Sequence, residues 1–338
     1  IEPTNSTISR SIHLSFGIVL AFFIYPMMRR PYFLKKIRWF GYTFAAIGLA
    51  TASYIALFYN EISLRPGDYT TLDIVIAIIG VIILLEAGRR VLGFVLSLIA
   101  VIFLAYDFLG PYMPELIIHK GASLNKLAGH MFLTTEGIFG VPLGVSAGFV
   151  FLFVLFGSLL DKAGAGEYFI NLAFSLLGKY RGGSAKASVI ASGFAGIISG
   201  SSIANTVTTG TFTIPLMKRT GFRPEQAAAV EVSSSSNGQL MPPVMGAAAF
   251  IIAEFLGMSY TDVVVTAFIP AFVSYFGLFY IVHLESLKLG LKGMNKEDIP
   301  PKFETFMKGI HYLIPILFLL FTLMILRESA ASAAFNAI

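Results

Sequence analysis

SGFAGIISGSSIANTVTTGTF (192–212) sits between two basic clusters, Lys179/Arg181/Lys186 and Lys218/Arg219/Arg223. A straight apolar span would leave one cluster on each side of a bilayer, whereas cytoplasmic segments concentrate Lys and Arg. If both clusters are cytoplasmic, the residues between them enter and leave on one side, which a re-entrant hairpin does. Non-helical backbone at membrane depth is tolerated only where it is buried in protein or lines a cavity. The tip is therefore expected near Ser199, Gly200, Ser201 and Ser202, facing something polar. Gly193, Gly196 and Gly200 let backbones approach closely, and Ser201 or Ser202 can N-cap a helix starting near Ile203. A half-helix N-terminus offers unpaired N–H groups to a carboxylate, and hydroxyl and carbonyl oxygens at such a break suit a hard cation such as Na⁺. The competing reading is that these small residues only permit tight helix packing.

Working outward, apolar stretches long enough to cross a hydrocarbon core of roughly 30 Å lie at about 12–28, 39–59, 72–88, 91–109, 138–160, 262–284 and 309–326. The regions 187–217 and 224–257 are crowded with Gly, Ser, Asn and Pro and are not plain spans. With residues 1–11 outside, 19 of the 24 basic residues fall inside, among them Arg29, Arg30, Lys35, Lys36 and Arg38. Composition agrees: 56% of the 338 residues are hydrophobic and 13% charged, against about 25% charged in a soluble domain. Absent cysteines exclude disulfides, thiolate metal sites and cysteine nucleophiles. The loop at 110–137 reads as an external connector with a short amphipathic helix, and 166–178 as an interfacial helix on the cytoplasmic face. A chain opening at Ile1 without Met and stopping soon after an apolar span is expected to be a piece of a longer polypeptide.

The second candidate segment is VEVSSSSNGQLMPPVMG (230–246). Pro242 and Pro243 lack N–H groups, so the carbonyls of Gly238 and Gln239 lose their helical partners. A helix broken there exposes carbonyls that ligate cations, as at the midplane sites of many secondary transporters. A proline kink satisfied by neighbouring helices is the alternative. Glu231 lies about 12 Å along this helix from Arg223. It is either salt-bridged to a cytoplasmic-side Lys or Arg, or a charge-coupling group. Glu86 stands beside Arg89 and Arg90 and reads as an interfacial pair, and His119, His130 and His283 lack metal-ligand spacing. No Walker-type GxxxxGK[ST] loop is present, so energy must come from an ion gradient or another subunit.

LTTEGIFGVPLGVSA (133–147), FGSLLDKAGAG (156–166), SGSSIANTVTTGTFTIPLMKRTGF (199–222) and SSSSNGQLMPPVMGAAAFIIAEFLG (233–257) together resemble the DctM-like large membrane subunit of tripartite ATP-independent periplasmic (TRAP) transporters. The nearest likeness is to fused permeases working with TAXI-type binding proteins, and SIHLSF (11–16) and LLEAGRR (84–90) look like the small-subunit part of such a fusion. The resemblance implies an elevator-type secondary transporter with two inverted repeats, Na⁺ as the coupling ion and a periplasmic binding protein that delivers substrate. By motif position it implies a Na⁺ site of Ser199 and Ser202 completed by backbone oxygens at Asn237, Leu240 and Pro242. Gly200, Ser201, Asn205, Ser235, Ser236, Gly238 and Gln239 would face substrate at the hairpin tip. Relatives often carry Gly where this chain has Ser236 and Asn237, and the second repeat does not occur before Ile338, so this piece is not expected to hold a complete substrate site.

The expected fold is an all-α polytopic membrane protein with a re-entrant hairpin and a broken helix, the first inverted repeat only. Its regions are accessory helices and connector (1–130), a scaffold-type and an interfacial helix (131–186), hairpin plus broken helix (187–258) and further spans (259–338). The expected role is a non-enzymatic permease for small organic carboxylates in a bacterial or archaeal inner membrane, in contact with lipid and a TAXI-type binding protein and not with nucleic acid. Two rivals stand beside it: a passive channel or structural subunit, and an intramembrane serine hydrolase using Ser199 or Ser201 with His283 as base.

Overall fold

The computed structural model describes residues 5–25 and 34–338, with side chains from Trp39 onward in the second stretch. Arg29 and Arg30 lie outside the described residues, as does the 26–28 end of the first expected span, and no side chain is described for Lys35, Lys36 or Arg38. The regular structure of the described residues is all helical, without strands. Among them, seven helical stretches are long and apolar enough to cross a membrane: Ser6–Ile24, Trp39–Leu57, Thr71–Leu92, Phe94–Tyr112, Val141–Ala163, Tyr260–Lys288 and Lys296–Met324. Each overlaps an expected span, the last beginning thirteen residues earlier than expected, and the protein is an all-α polytopic membrane protein. The chain divides into two compact units, 1–147 and 148–338.

The first unit holds α1 (Ser6–Ile24), α2 (Leu34–Leu57), α3 (Tyr59–Ser63), α4 (Thr71–Leu92), α5 (Phe94–Leu109), α6 (Leu124–Leu133) and α7 (Val141–Val145). α1 packs on α2, and α4 packs on α2, α5 and α6. Small residues set these crossings: a side chain at Gly48 would strike Ile18 and Ile83, and one at Gly80 would strike the Phe132 ring. Several polar groups in this apolar unit are paired. Ser11 Oγ donates to the Ala52 carbonyl at 2.5 Å, and Glu86 bridges Arg89 at 2.7 Å and Arg90 at 2.8 Å. The pairing expected for Glu86 is present.

The second unit holds α8 (Phe151–Ala163), α9 (Ala165–Leu177), α10 (Gly183–Ser199), α11 (Ser202–Arg219), α12 (Pro224–Gly238), α13 (Ala247–Leu256), α14 (Tyr260–Lys288), α15 (Lys302–Gly309), α16 (Leu313–Met324) and α17 (Ala330–Ala337). On α14, Phe268, Phe272 and Phe276 recur at four-residue spacing and stay exposed, a stripe that lipid rather than water solvates. The stretch expected as an interfacial helix is α9, and its apolar face turns inward onto the protein. Tyr168, Phe169, Leu172 and Ala173 are buried, and α9 packs on α10 and α15. The Ala and Ser residues of α10 leave room for those rings.

Candidate functional site

α10 and α11 form a helical hairpin whose connection is two residues, Gly200 and Ser201. Gly200 takes φ +57°, the left-handed conformation that costs glycine little. Ser201 is the N-cap of α11, accepting from the Ala204 N–H at 3.3 Å. The open choice between Ser201 and Ser202 thus falls to Ser201. The arms run antiparallel along their whole length. At the base, the Ser184 and Thr220 hydroxyls meet at 2.6 Å; midway, Asn205 Nδ2 donates to the Ser192 carbonyl at 2.9 Å. The basic clusters therefore share one end of the hairpin. At 1.5 Å per residue each arm is about 25 Å long.

α12 ends at Gly238, and the chain resumes as α13 only at Ala247. The interruption falls on the segment expected to break. The carbonyls expected to lose partners are satisfied in another way: Gly238 O accepts from Met241 N at 3.2 Å and Gln239 O from Gly246 N at 2.8 Å. Once the chain leaves the helix, tight turns supply the N–H groups that the prolines lack. Further along, Tyr260 OH lies 2.7 Å from the Pro243 carbonyl and 2.8 Å from that of Val244. Among the described residues, the carbonyl oxygens of Leu240 and Pro242 accept no hydrogen bond.

The two interruptions meet. A Cβ on Gly196 would lie 2.6 Å from Gly238 Cα, so α10 and α12 cross backbone to backbone. At Gly200 the same addition would strike the Met245 carbonyl. Gln239 Nε2 donates to Ser202 Oγ at 2.9 Å. The expected residues Gly200, Ser202, Gly238 and Gln239 thus come together. Ser199 turns toward its own neighbour, its Oγ lying 3.5 Å from Ser201 N. Ser236 is exposed, and the Asn237 carbonyl already accepts from Leu240 N at 2.9 Å.

Behind the tip lies a buried polar chain. Ser192 Oγ meets Asn205 Nδ2 at 3.0 Å and Ser235 Oγ at 3.2 Å. Ser235 Oγ donates to Glu231 Oε1 at 3.2 Å, Thr213 to Oε2 at 2.5 Å, and Thr209 is hydrogen-bonded to Oε1. Glu231 is wholly buried and, among the described residues, makes no salt bridge. Of the two readings of Glu231, the ion pair is not formed. Thr209, Thr213 and Tyr275, whose hydroxyl donates to the Ser234 carbonyl at 2.8 Å, were not among the expected residues. His283, offered as a base for serine, is engaged with Lys186 instead, its Nδ1 lying 2.9 Å from the ammonium. Among the described residues no group of three or more His, Cys, Asp or Glu could hold a metal ion, so any cation here must be met mainly by hydroxyl and carbonyl oxygens.

The chain is 31% identical over 131 residues (38% of this chain, 27% of the relative) to the C4-dicarboxylate TRAP transporter large permease protein DctM of Vibrio cholerae. Its namesake in Rhodobacter capsulatus is 36% identical over 91 residues, 27% of this chain and 21% of the relative. The 2,3-diketo-L-gulonate TRAP transporter large permease protein YiaN of Escherichia coli is 24% identical over 193 residues, 55% of this chain and 44% of the relative. Each match spans less than half the relative's own length. Residues 79–338, which include the hairpin and the broken helix, match the family described as the tripartite ATP-independent periplasmic transporter, DctM component, and the chain belongs to that family.

Proposed function

We propose that the protein is the permease part of a Na⁺-coupled secondary transporter that imports small organic carboxylates delivered by a TAXI-type periplasmic binding protein. The membrane is the inner membrane of a bacterium or archaeon, and the hairpin is re-entrant, its tip reaching mid-bilayer from the side of the basic clusters. The observation that carries this reading is the meeting of two backbone interruptions, with Gly200 against Met245 and Gln239 bonded to Ser202. Unpaired oxygens at Leu240 and Pro242 stand in the same interruption. Together with Ser199, Ser202 and Asn237 they supply the neutral oxygen donors that an alkali cation takes. The N-terminus of α11, capped by Ser201, offers its partial positive charge to a carboxylate. Gly200, Asn205, Ser236, Gly238 and Gln239 complete the substrate side, while Ser235, expected there too, lies behind it, fully buried against Ser192 and Glu231. The substrates printed in the relatives' names, a C4-dicarboxylate and a diketo-gulonate, are acids of this class. Displacement of the hairpin and broken helix as one block, an elevator, would carry the site across the membrane.

The test is uptake into proteoliposomes holding the full-length protein with its binding protein, under separate Na⁺ and proton gradients. Ser202→Ala, and replacement of both Pro242 and Pro243 by Ala, should abolish Na⁺-dependent uptake at normal expression. Wild-type rates in both would remove this site assignment. Uptake that needs neither Na⁺ nor the binding protein would favour a passive channel. Serine hydrolysis has no support in the geometry, because His283 is committed to Lys186.

A further inference from the structure

Glu231 is 0% exposed and stands in the middle of α12, with no cationic side chain in ion-pair range among the described residues. An ionised carboxylate without a countercharge is costly to bury, so its surroundings must either hold that charge or hold a proton. They are built for both. A hydroxyl has one hydrogen and two lone pairs, and each hydroxyl touching Glu231 has a second acceptor within reach. Thr209 Oγ1 lies 2.8 Å from the Asn205 carbonyl. Thr213 Oγ1 lies 3.0 Å from the Thr209 carbonyl. Ser235 Oγ lies 3.2 Å from Ser192 Oγ.

Two complete hydrogen-bond arrangements follow. With the carboxylate charged, Thr209, Thr213 and Ser235 aim their hydrogens at it. With a proton on Oε2, the acid donates to Thr213, whose own hydrogen turns to the Thr209 carbonyl, while Thr209 turns to the Asn205 carbonyl and Ser235 goes on donating to Oε1. No polar atom is stranded in either arrangement. A metal ion would be a poorer occupant, because the hydroxyl oxygens already sit at direct hydrogen-bond distance from the carboxylate and leave no gap between them.

A route to water lies alongside. A cavity of about 380 Å³ between α8 and the hairpin is lined in part by Ser158, Asp161, Ser199, Ser201, Asn205 and Thr208. Asn205 belongs to both sides, since its Oδ1 is 3.4 Å from Thr209 Oγ1. Other titratable groups on the elements packed against α12 are engaged elsewhere or lie at a helix end. On α14, Tyr275 is bound to the Ser234 carbonyl, Glu285 to Gln226 at 2.7 Å, and His283 to Lys186 of α10; on α11, Lys218 and Arg219 lie in its last turn.

We propose that Glu231 is a reversible proton-binding site, exchanging its proton with water in this cavity past Asn205 and Thr209. The inference deepens the ion-coupled reading above, and protonation is measured without transport so that the two can fail separately. Infrared pH-difference spectra of the full-length protein in nanodiscs, with neither substrate nor binding protein, should show a buried carboxylic-acid C=O band that grows as pH falls. Glu231→Gln should remove it. Thr213→Val deletes a charge-assisted donor to the carboxylate and only a weaker, neutral acceptor for the acid, so the band's midpoint should move to higher pH by about one unit. This second variant decides the matter if Glu231→Gln fails to fold. A spectrum unchanged by Glu231→Gln, no titrating band at all, or an unmoved midpoint in Thr213→Val each overturns the proposal. Loss of ion-driven uptake with the band intact overturns the transport reading alone.

Discussion

Asp73 and Glu231 are both fully buried carboxylates, yet their settings differ in kind. Asp73 stands in the first turn of α4, where the Thr70 N–H donates to it at 2.8 Å and the two residues form a capping box. It also accepts from Tyr54 OH at 2.6 Å and pairs with Arg65 at 3.0 Å. A guanidinium and a helix N-terminus thus compensate its charge twice over. Glu231 sits mid-helix with hydroxyls alone. Burial is shared and countercharge is not, so the first acid reads as a fixed part of the scaffold and the second as a group whose charge can change.

The comparison breaks most readily at the crossing that positions Glu231. Gly196→Val would press its side chain onto Gly238 backbone, which cannot give way as a rotamer would. It should cost about 3 kcal/mol or more, seen as a large fall in Tm in detergent. A tolerated valine would mean that α12 does not lie where Glu231 meets α11. Next comes Asp73→Ala, which removes the acid but leaves Arg65 and Tyr54 without their partner. About 3 kcal/mol should be lost, with no change in any pH-dependent signal from Glu231. Tyr275→Phe leaves the Ser234 carbonyl without that hydroxyl and should cost about 1 kcal/mol, read from chemical-denaturant midpoints. The smallest effect belongs to Glu231→Gln. It keeps the shape, removes the buried charge and should shift stability by about 0.5 kcal/mol or less in either direction. A destabilisation as large as that of Asp73→Ala would place both acids in one structural class.

Much of this architecture is legible in the sequence because a membrane imposes length and charge rules on it. The seven spans follow from runs of apolar residues, and the hairpin from two basic clusters expected to share a side. The two-residue tip and the break after Gly238 follow from Gly, Ser and Pro placed where a helix cannot continue. What escaped was mutual facing across helices. Asn205, Thr209 and Thr213 recur at four-residue spacing, one stripe of α11, and that stripe is the signal that Glu231 meets hydroxyls rather than Arg223. Tyr260 and Tyr275 reach back from α14 to carbonyls some forty residues or fewer earlier, and no local pattern announces such contacts. The inward turn of α9 was missed for a similar reason: an amphipathic period reports that one face is apolar, not whether lipid or α10 covers it.

The bare contact of Gly196 on Gly238 has a mechanical consequence. Where side chains interdigitate, helices slide by swapping rotamers from one notch to the next. Here neither partner owns a rotamer to swap, and the larger residues to either side act as stops. The two elements are geared together at that point: a force that shifts the hairpin tip must drag the end of α12 with it.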